Sequence, residues 1–197
     1  MTDPSDADRE SELAGREPDA DLDSEPADRE SELAGRLEQV HRMLAAQEQT
    51  VAVAESVTGG LLAAALTSTA GASATFRGGL VVYATDLKAR LAGVSESLLA
   101  EQGAVAPQVA LELARGVRER LSASWGVGVT GVAGPEPQDG KPVGTVFLSV
   151  VGPGPDAGIE SVSELNLHGD RNMIRVQIVE QAVALLAGAV SHVNRAL

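Results

Sequence analysis

Cysteine is absent from these 197 residues. Its absence excludes a disulfide framework, a thiolate nucleophile and any metal site built on sulfur. Aromatic side chains make up only 2% of the chain, so a core has to be assembled from Ala, Val and Leu. Small side chains let helices lie close to a sheet, and that composition suits a layered α/β fold. No apolar run approaches the ~20 residues a membrane helix needs. The opening Met-Thr-Asp-Pro has no basic-then-apolar leader. A cytoplasmic protein without membrane contact is therefore expected. Lysine is also scarce: against 13 arginines stand only Lys88 and Lys141.

What is abundant is acid, and it is unevenly placed. The net charge is −13. Residues 1–36 hold 13 acids and four arginines, a net of −9, which leaves −4 for the remaining 161 residues. The first segment has few large apolar residues beyond Leu13, Leu22 and Leu33, too few to offset the entropy of ordering it. It carries a direct repeat, ADRESELAGR at 7–16 and again at 27–36, but two copies with one leucine each cannot stack into a solenoid. A disordered acidic tail over 1–36 is expected, with a binding arm for a basic partner as the alternative. So acidic a surface argues against nucleic acid as a direct ligand.

The folded domain is expected over 37–197. LEQVHRMLAAQEQ places Leu37, Val40, Met43 and Leu44 at helical spacing. TVAVAE (50–55) reads as a buried strand, GGLLAAALTSTAG (59–71) as a helix and FRGGLVVYA (76–84) as a second strand. A short helix through Lys88 and Leu91 follows, then a long amphipathic one over 107–124 with Pro107 at its start. Strands are expected within 125–135, 143–152 and 159–167, and a last helix from about Asp170. Helices interleaved with apolar strands predict a three-layer α/β/α domain. Two consecutive strands after Gly140 make its mostly parallel sheet a mixed one.

Within AESVTGG (54–60), a buried strand hands over to a helix at two hydroxyls and two glycines. Such a turn aims backbone N–H groups outward and creates an anion site at the helix N-terminus. A plain N-cap by Ser56 or Thr58 explains the same residues, and the local sequence favours it. GVGVTG (126–131) has the spacing of a dinucleotide fingerprint, but Pro135 and Pro137 follow it instead of a helix, so the context is wrong. His41, His168 and His192 form no metal or triad pattern. The lysines stand out because a desolvated lysine can lose its proton near neutral pH and an arginine cannot. A serine nucleophile without a usable histidine needs some base, and a lysine supplies one.

AESVTGG, GASATFRGGLVVYATDLKARLAGV, GAVAPQVALELA, VTGVAGP, KPVGTVF and HGDRNMIR resemble, in order and spacing, the motifs of the CinA carboxy-terminal family, from about residue 37 to the end. The resemblance implies a compact α/β/α domain and, for the characterised amidohydrolases of the family, hydrolysis of the carboxamide of nicotinamide mononucleotide without a metal or cofactor. By the matching motifs it implies Ser56 as nucleophile, Lys88 as base and Tyr83 as the accompanying tyrosine. Thr58, Gly59, Gly60, Thr130, Gly131, Lys141 and Arg171 are the expected contacts to a small nucleotide substrate; Arg175 is expected in a surface salt bridge. A homo-oligomer, with a dimer favoured, is expected. The amino-terminal domain of longer relatives has no counterpart here, and its activity is expected to be missing. Three positions depart from the family pattern: Val57 in place of a frequent cysteine, Ala106 in place of a frequent serine, and the loop GPEPQDGKPVG in place of a glycine-richer one. A nucleotide-sensing or protein-interaction module without catalysis is the alternative.

Overall fold

The computed structural model of the chain describes residues 26–154 and 158–196. The chain divides into two units, Met1–Glu32 and Leu33–Leu197. The described residues form six α-helices and five strands: α1 (Pro26–Ala46), β1 (Val51–Glu55), α2 (Leu61–Thr67), β2 (Phe76–Val81), α3 (Thr85–Ala92), α4 (Glu96–Gln102), α5 (Pro107–Arg120), β3 (Trp125–Gly131), β4 (Thr145–Gly152), β5 (Ile159–Asn166) and α6 (Arg171–Ala196). Only α4 has no counterpart in the sequence reading; the hydroxyl of Ser95 caps it by accepting from the Leu98 N–H.

The helix starts at Pro26, not near Leu37, so residues 26–36 do not belong to a disordered tail. The reason is cooperative. Once Leu37, Val40 and Leu44 anchor the later turns in the core, extending the same helix backwards through good helix formers needs no new nucleus. The first repeat copy lies outside the described residues; the second is helical.

The sheet order is β2-β1-β3-β4-β5. β1 pairs in parallel with β2 and β3, whereas β4 runs antiparallel to both β3 and β5. Four strands therefore share one direction and β4 opposes them, the mixed sheet expected from consecutive strands after Gly140. The two faces differ in bulk. Val51, Val53, Trp125, Val127 and Val129 join α1, α2 and α6 in one core cluster. Ala52 and Ala54 face α3, α4 and α5 in a second cluster. Register sets Ala52 beside Gly126 and Ala54 beside Gly128, so a stripe of minimal side chains lies under α5. The approach is close: a Cβ on Gly126 would stand 2.1 Å from the Ala114 carbonyl oxygen, and one on Gly128 2.1 Å from that of Ala110. GVGVTG is thus a packing motif, which is why it mimics a dinucleotide fingerprint without its context.

α6 is, by length and composition, apolar enough to cross a membrane, contrary to the reading that no such run exists. Ile174, Ile178, Val183, Leu186 and Val190 on it are nevertheless fully buried in the core, so part of that apolarity belongs to the core.

Candidate active site

β1 ends at Glu55, and the chain turns through Ser56–Gly60 before α2 begins. The turn requires its glycines: Gly59 has φ +61° and Gly60 φ +100°, the left-handed region that glycine enters without penalty. The helix N-terminus is filled from within. The buried Glu55 carboxylate accepts from the N–H groups of Gly60 at 3.0 Å, Leu62 at 3.1 Å and Ala63 at 2.8 Å. It neutralises the donors and the dipole of α2. Neither Ser56 nor Thr58 acts as the cap; the N-cap position is Gly60, with no capping hydroxyl.

That arrangement corrects part of the expected site. Gly59 N–H donates to the Ser56 carbonyl and Gly60 N–H to Glu55, so neither is available to an external anion. Thr58 is fully buried, its hydroxyl has no hydrogen-bond partner, and its carbonyl accepts from Arg175 at 2.7 Å. Arg175 therefore clamps the Ser56–Gly60 turn from α6 instead of forming a surface salt bridge. The sequence signal for the true cap was Glu55, the acid that closes an otherwise apolar strand.

Freed from capping, Ser56 points its hydroxyl at Lys88. The Lys88 Nζ lies 3.0 Å from Ser56 Oγ, 2.9 Å from the Val82 carbonyl oxygen and 3.3 Å from that of Tyr83. α3 carries Lys88 one turn into the helix after β2, which is how residues 32 positions apart meet. Lys88 is 1% exposed. Burial pulls its pKa down from 10.5 to about 8, partly opposed by the charge of Asp139. A charged amine donates to all three oxygens. A neutral amine keeps two donors for the two carbonyls and turns its lone pair to the serine hydroxyl. The pocket of acceptors thus satisfies both protonation states.

Beside this pair opens a small cleft of about 90 Å³, lined among others by Ser56, Tyr83, Ala104, Thr130, Glu136 and Arg171. Tyr83 is 58% exposed. Its phenol oxygen accepts from Arg171 at 2.8 Å, and Arg171 also donates to the Gly134 carbonyl at 2.6 Å. Tyr83 therefore meets Lys88 through its backbone and Arg171 through its ring. Thr130 borders the cleft, but its hydroxyl donates to the Ala104 carbonyl at 2.6 Å. Gly131 has Thr145 and Val146 too close for any side chain. Lys141, expected as a ligand contact, is absent from the lining; its ammonium stands 6.0 Å from the Phe147 ring centroid. His41 is a core residue, its ring nitrogens 2.6 Å from Thr75 Oγ1 and 2.9 Å from the Leu66 carbonyl oxygen. Ala106 is the N-cap of α5, with no side chain to cap it, so a serine there would serve the helix and not a ligand.

The family model of the CinA C-terminal domain matches residues 34–190. A CinA-like protein of Frankia casuarinae is 50% identical over 144 residues, 73% of this chain and 32% of that protein. One of Anaeromyxobacter dehalogenans is 48% identical over 146 residues, 73% of this chain and 34% of that protein. The chain thus spans about a third of the length of these relatives. Among solved structures, the competence/damage inducible protein CihA from Agrobacterium tumefaciens superposes with a TM-score of 0.75 at 34% identity, covering 80% of this chain and 94% of its own. A CinA superfamily protein from Klebsiella pneumoniae gives 0.76 at 30% identity, covering 81% and 98%. The chain belongs to the CinA C-terminal domain family.

Proposed function

We propose, from that membership and the geometry of the cleft, that the chain hydrolyses the carboxamide of nicotinamide mononucleotide to nicotinate mononucleotide and ammonia. The observation that carries the reading is the buried amine of Lys88 at hydrogen-bond distance from the Ser56 hydroxyl at the floor of an open cleft. An amine with a pKa near 8 is neutral often enough at physiological pH to serve as a base.

In the proposed reaction neutral Lys88 takes the hydroxyl proton while Ser56 Oγ bonds to the carboxamide carbon. Collapse of the tetrahedral adduct breaks the C–N bond, and the proton held by Lys88 leaves with the nitrogen as ammonia. Water then attacks the acyl carbon and gives a proton to Lys88, which returns it to Ser56 Oγ as the ester bond breaks. The nicotinate leaves as a carboxylate after losing its proton to solvent. Arg171, at the mouth, retains N–H donors beyond the two it uses and suits the phosphate; Tyr83 holds Arg171 in place and presents its ring to the ligand. The proposal is completed by a cytoplasmic setting and a dimer, which sedimentation would test.

Ammonia release from nicotinamide mononucleotide tests the reading. Wild type is expected to turn over and Ser56→Ala to be inactive with the nucleotide still bound. Thermal stabilisation of the wild type by the nucleotide without ammonia would mark a sensor instead.

A further inference from the structure

The loop after β3 carries a feature that the reaction above does not use. Gln138 and Lys141 face each other as an antiparallel bridge, each N–H donating to the other's carbonyl. Between them Asp139 has φ +52° and Gly140 φ +71°, the two left-handed residues of a tight primed hairpin turn, for which Asp-Gly is a preferred pair. The turn presents the Asp139 carboxylate to the segment joining α4 to α5. Asp139 Oδ2 accepts from the Ala104 N–H at 2.7 Å. Gly103 is shaped for this contact: a Cβ there would lie 2.7 Å from the same oxygen, and its φ is +75°. The other side of the Ala104 peptide is held by Thr130 from β3. Ala104 and Val105 form one wall of the cleft, and Glu136 and Gln138 belong to the loop that borders it.

We propose that Asp139 is a positioning residue of the site: its carboxylate clamps the 134–142 loop onto the Ala104 N–H and so fixes that wall of the cleft.

The other charged groups around Lys88 are committed elsewhere or lie apart from it. Asp86 and Arg90 on its own helix pair with each other at 3.6 Å in solvent. From α5, Glu112 accepts the Ser95 N–H and Arg120 packs at Gly93. From β1, Glu55 is spent on α2. Glu96 and Glu101 of α4 and Arg77 of β2 are exposed. At the cleft, Arg171 binds Tyr83 and Gly134, leaving Glu136 as the remaining acid on the lining. Asp139 is the one charged group that registers in the titration of Lys88.

The inference rests on the Ser56–Lys88 reading, but its test does not require turnover. With two lysines in the chain, protein carrying 13C at the lysine ε-carbon gives two signals, and Lys141→Arg assigns them. The wild-type Lys88 signal is expected to titrate near pH 8. Asp139→Asn keeps an acceptor for Ala104 and removes the charge. Ala104 exchange and KM should stay near the wild-type values in this variant, because the amide oxygen still accepts from the Ala104 N–H. Asp139→Ala also removes the clamp; exchange of the Ala104 amide should then accelerate at least about tenfold, and the KM for nicotinamide mononucleotide should rise. Ala104 exchange or a KM unchanged by Asp139→Ala overturns the proposal. Absence of turnover by wild type overturns the amidohydrolase reading and leaves the Ala104 exchange to decide the role of Asp139.

Discussion

Lys88→Arg keeps a cation in the slot and removes any capacity to accept a proton at attainable pH. With a pKa of about 8, the neutral fraction of the wild-type lysine is roughly 9% at pH 7, half at pH 8 and roughly 91% at pH 9. The wild-type rate at saturating nicotinamide mononucleotide should therefore rise about tenfold from pH 7 to pH 9 and level off. A lysine at its ordinary 10.5 would instead keep climbing tenfold per pH unit through that range. General-base contributions run to roughly 10²–10⁴-fold, and Lys88→Arg should lose that much at every pH. The slot is 1% exposed, so the bulkier guanidinium could also disturb Ser56; Lys88→Met, similar in length and uncharged, provides the control and should be equally inactive while folded. Stability carries the same signature. The folded pKa is lowered, so the unfolded chain binds the proton more tightly, and stability gained from deprotonation appears as pH rises from about 8 towards 10.5. The drop from 10.5 to about 8 corresponds to about 3 kcal/mol. The assay is ammonia release between pH 6 and 10 beside thermal melts of all three proteins. An active Lys88→Arg enzyme, or a wild-type rate that is flat across pH 7–9, refutes the base assignment.

Glu55→Ala leaves three N–H donors of α2 without their carboxylate, two of them partly buried and one buried. Calorimetry should show a loss of about 2–4 kcal/mol, with activity lost as the Ser56 turn loosens. His41 is held neutral by burial, its pKa below the ordinary 6.5. The unfolded chain takes up that proton first, so melting temperature should decline as pH falls below 6.5, and His41→Gln should flatten the decline between pH 7 and 5. Ala106→Ser supplies α5 with the cap it lacks and should raise stability by about 0.5–1 kcal/mol without changing KM, as denaturant titration would show.

How much of this was legible in the sequence depended on how local the cause was. Ten of the eleven elements followed from apolar periodicity, turn residues and Pro107, because each rests on contacts that a single face makes with the sheet. α4 escaped because its seven residues offer too short a period to detect. The start of α1 escaped because residues 26–36 owe their helix to anchors further along the chain. At the site, Ser56 and Lys88 were reachable through the motifs and the rarity of lysine, and their 3.0 Å contact joins the turn after β1 to the helix after β2. The anion-site reading of the Gly59 and Gly60 N–H groups failed for a reason visible only in three dimensions. The acid that precedes Ser56 turns back onto the helix and takes the Gly60 N–H, while the Gly59 N–H is used by the Ser56 carbonyl within the turn. That choice has a chemical consequence. With the α2 dipole spent on a fixed carboxylate, the positive group that lines the cleft is Arg171, while behind Ser56 lies a buried lysine that loses its charge near pH 8. The proposed substrate, with its anion remote from its reactive carbon, would fit that separation of charge, because a phosphate held by Arg171 would leave Lys88 free to be neutral.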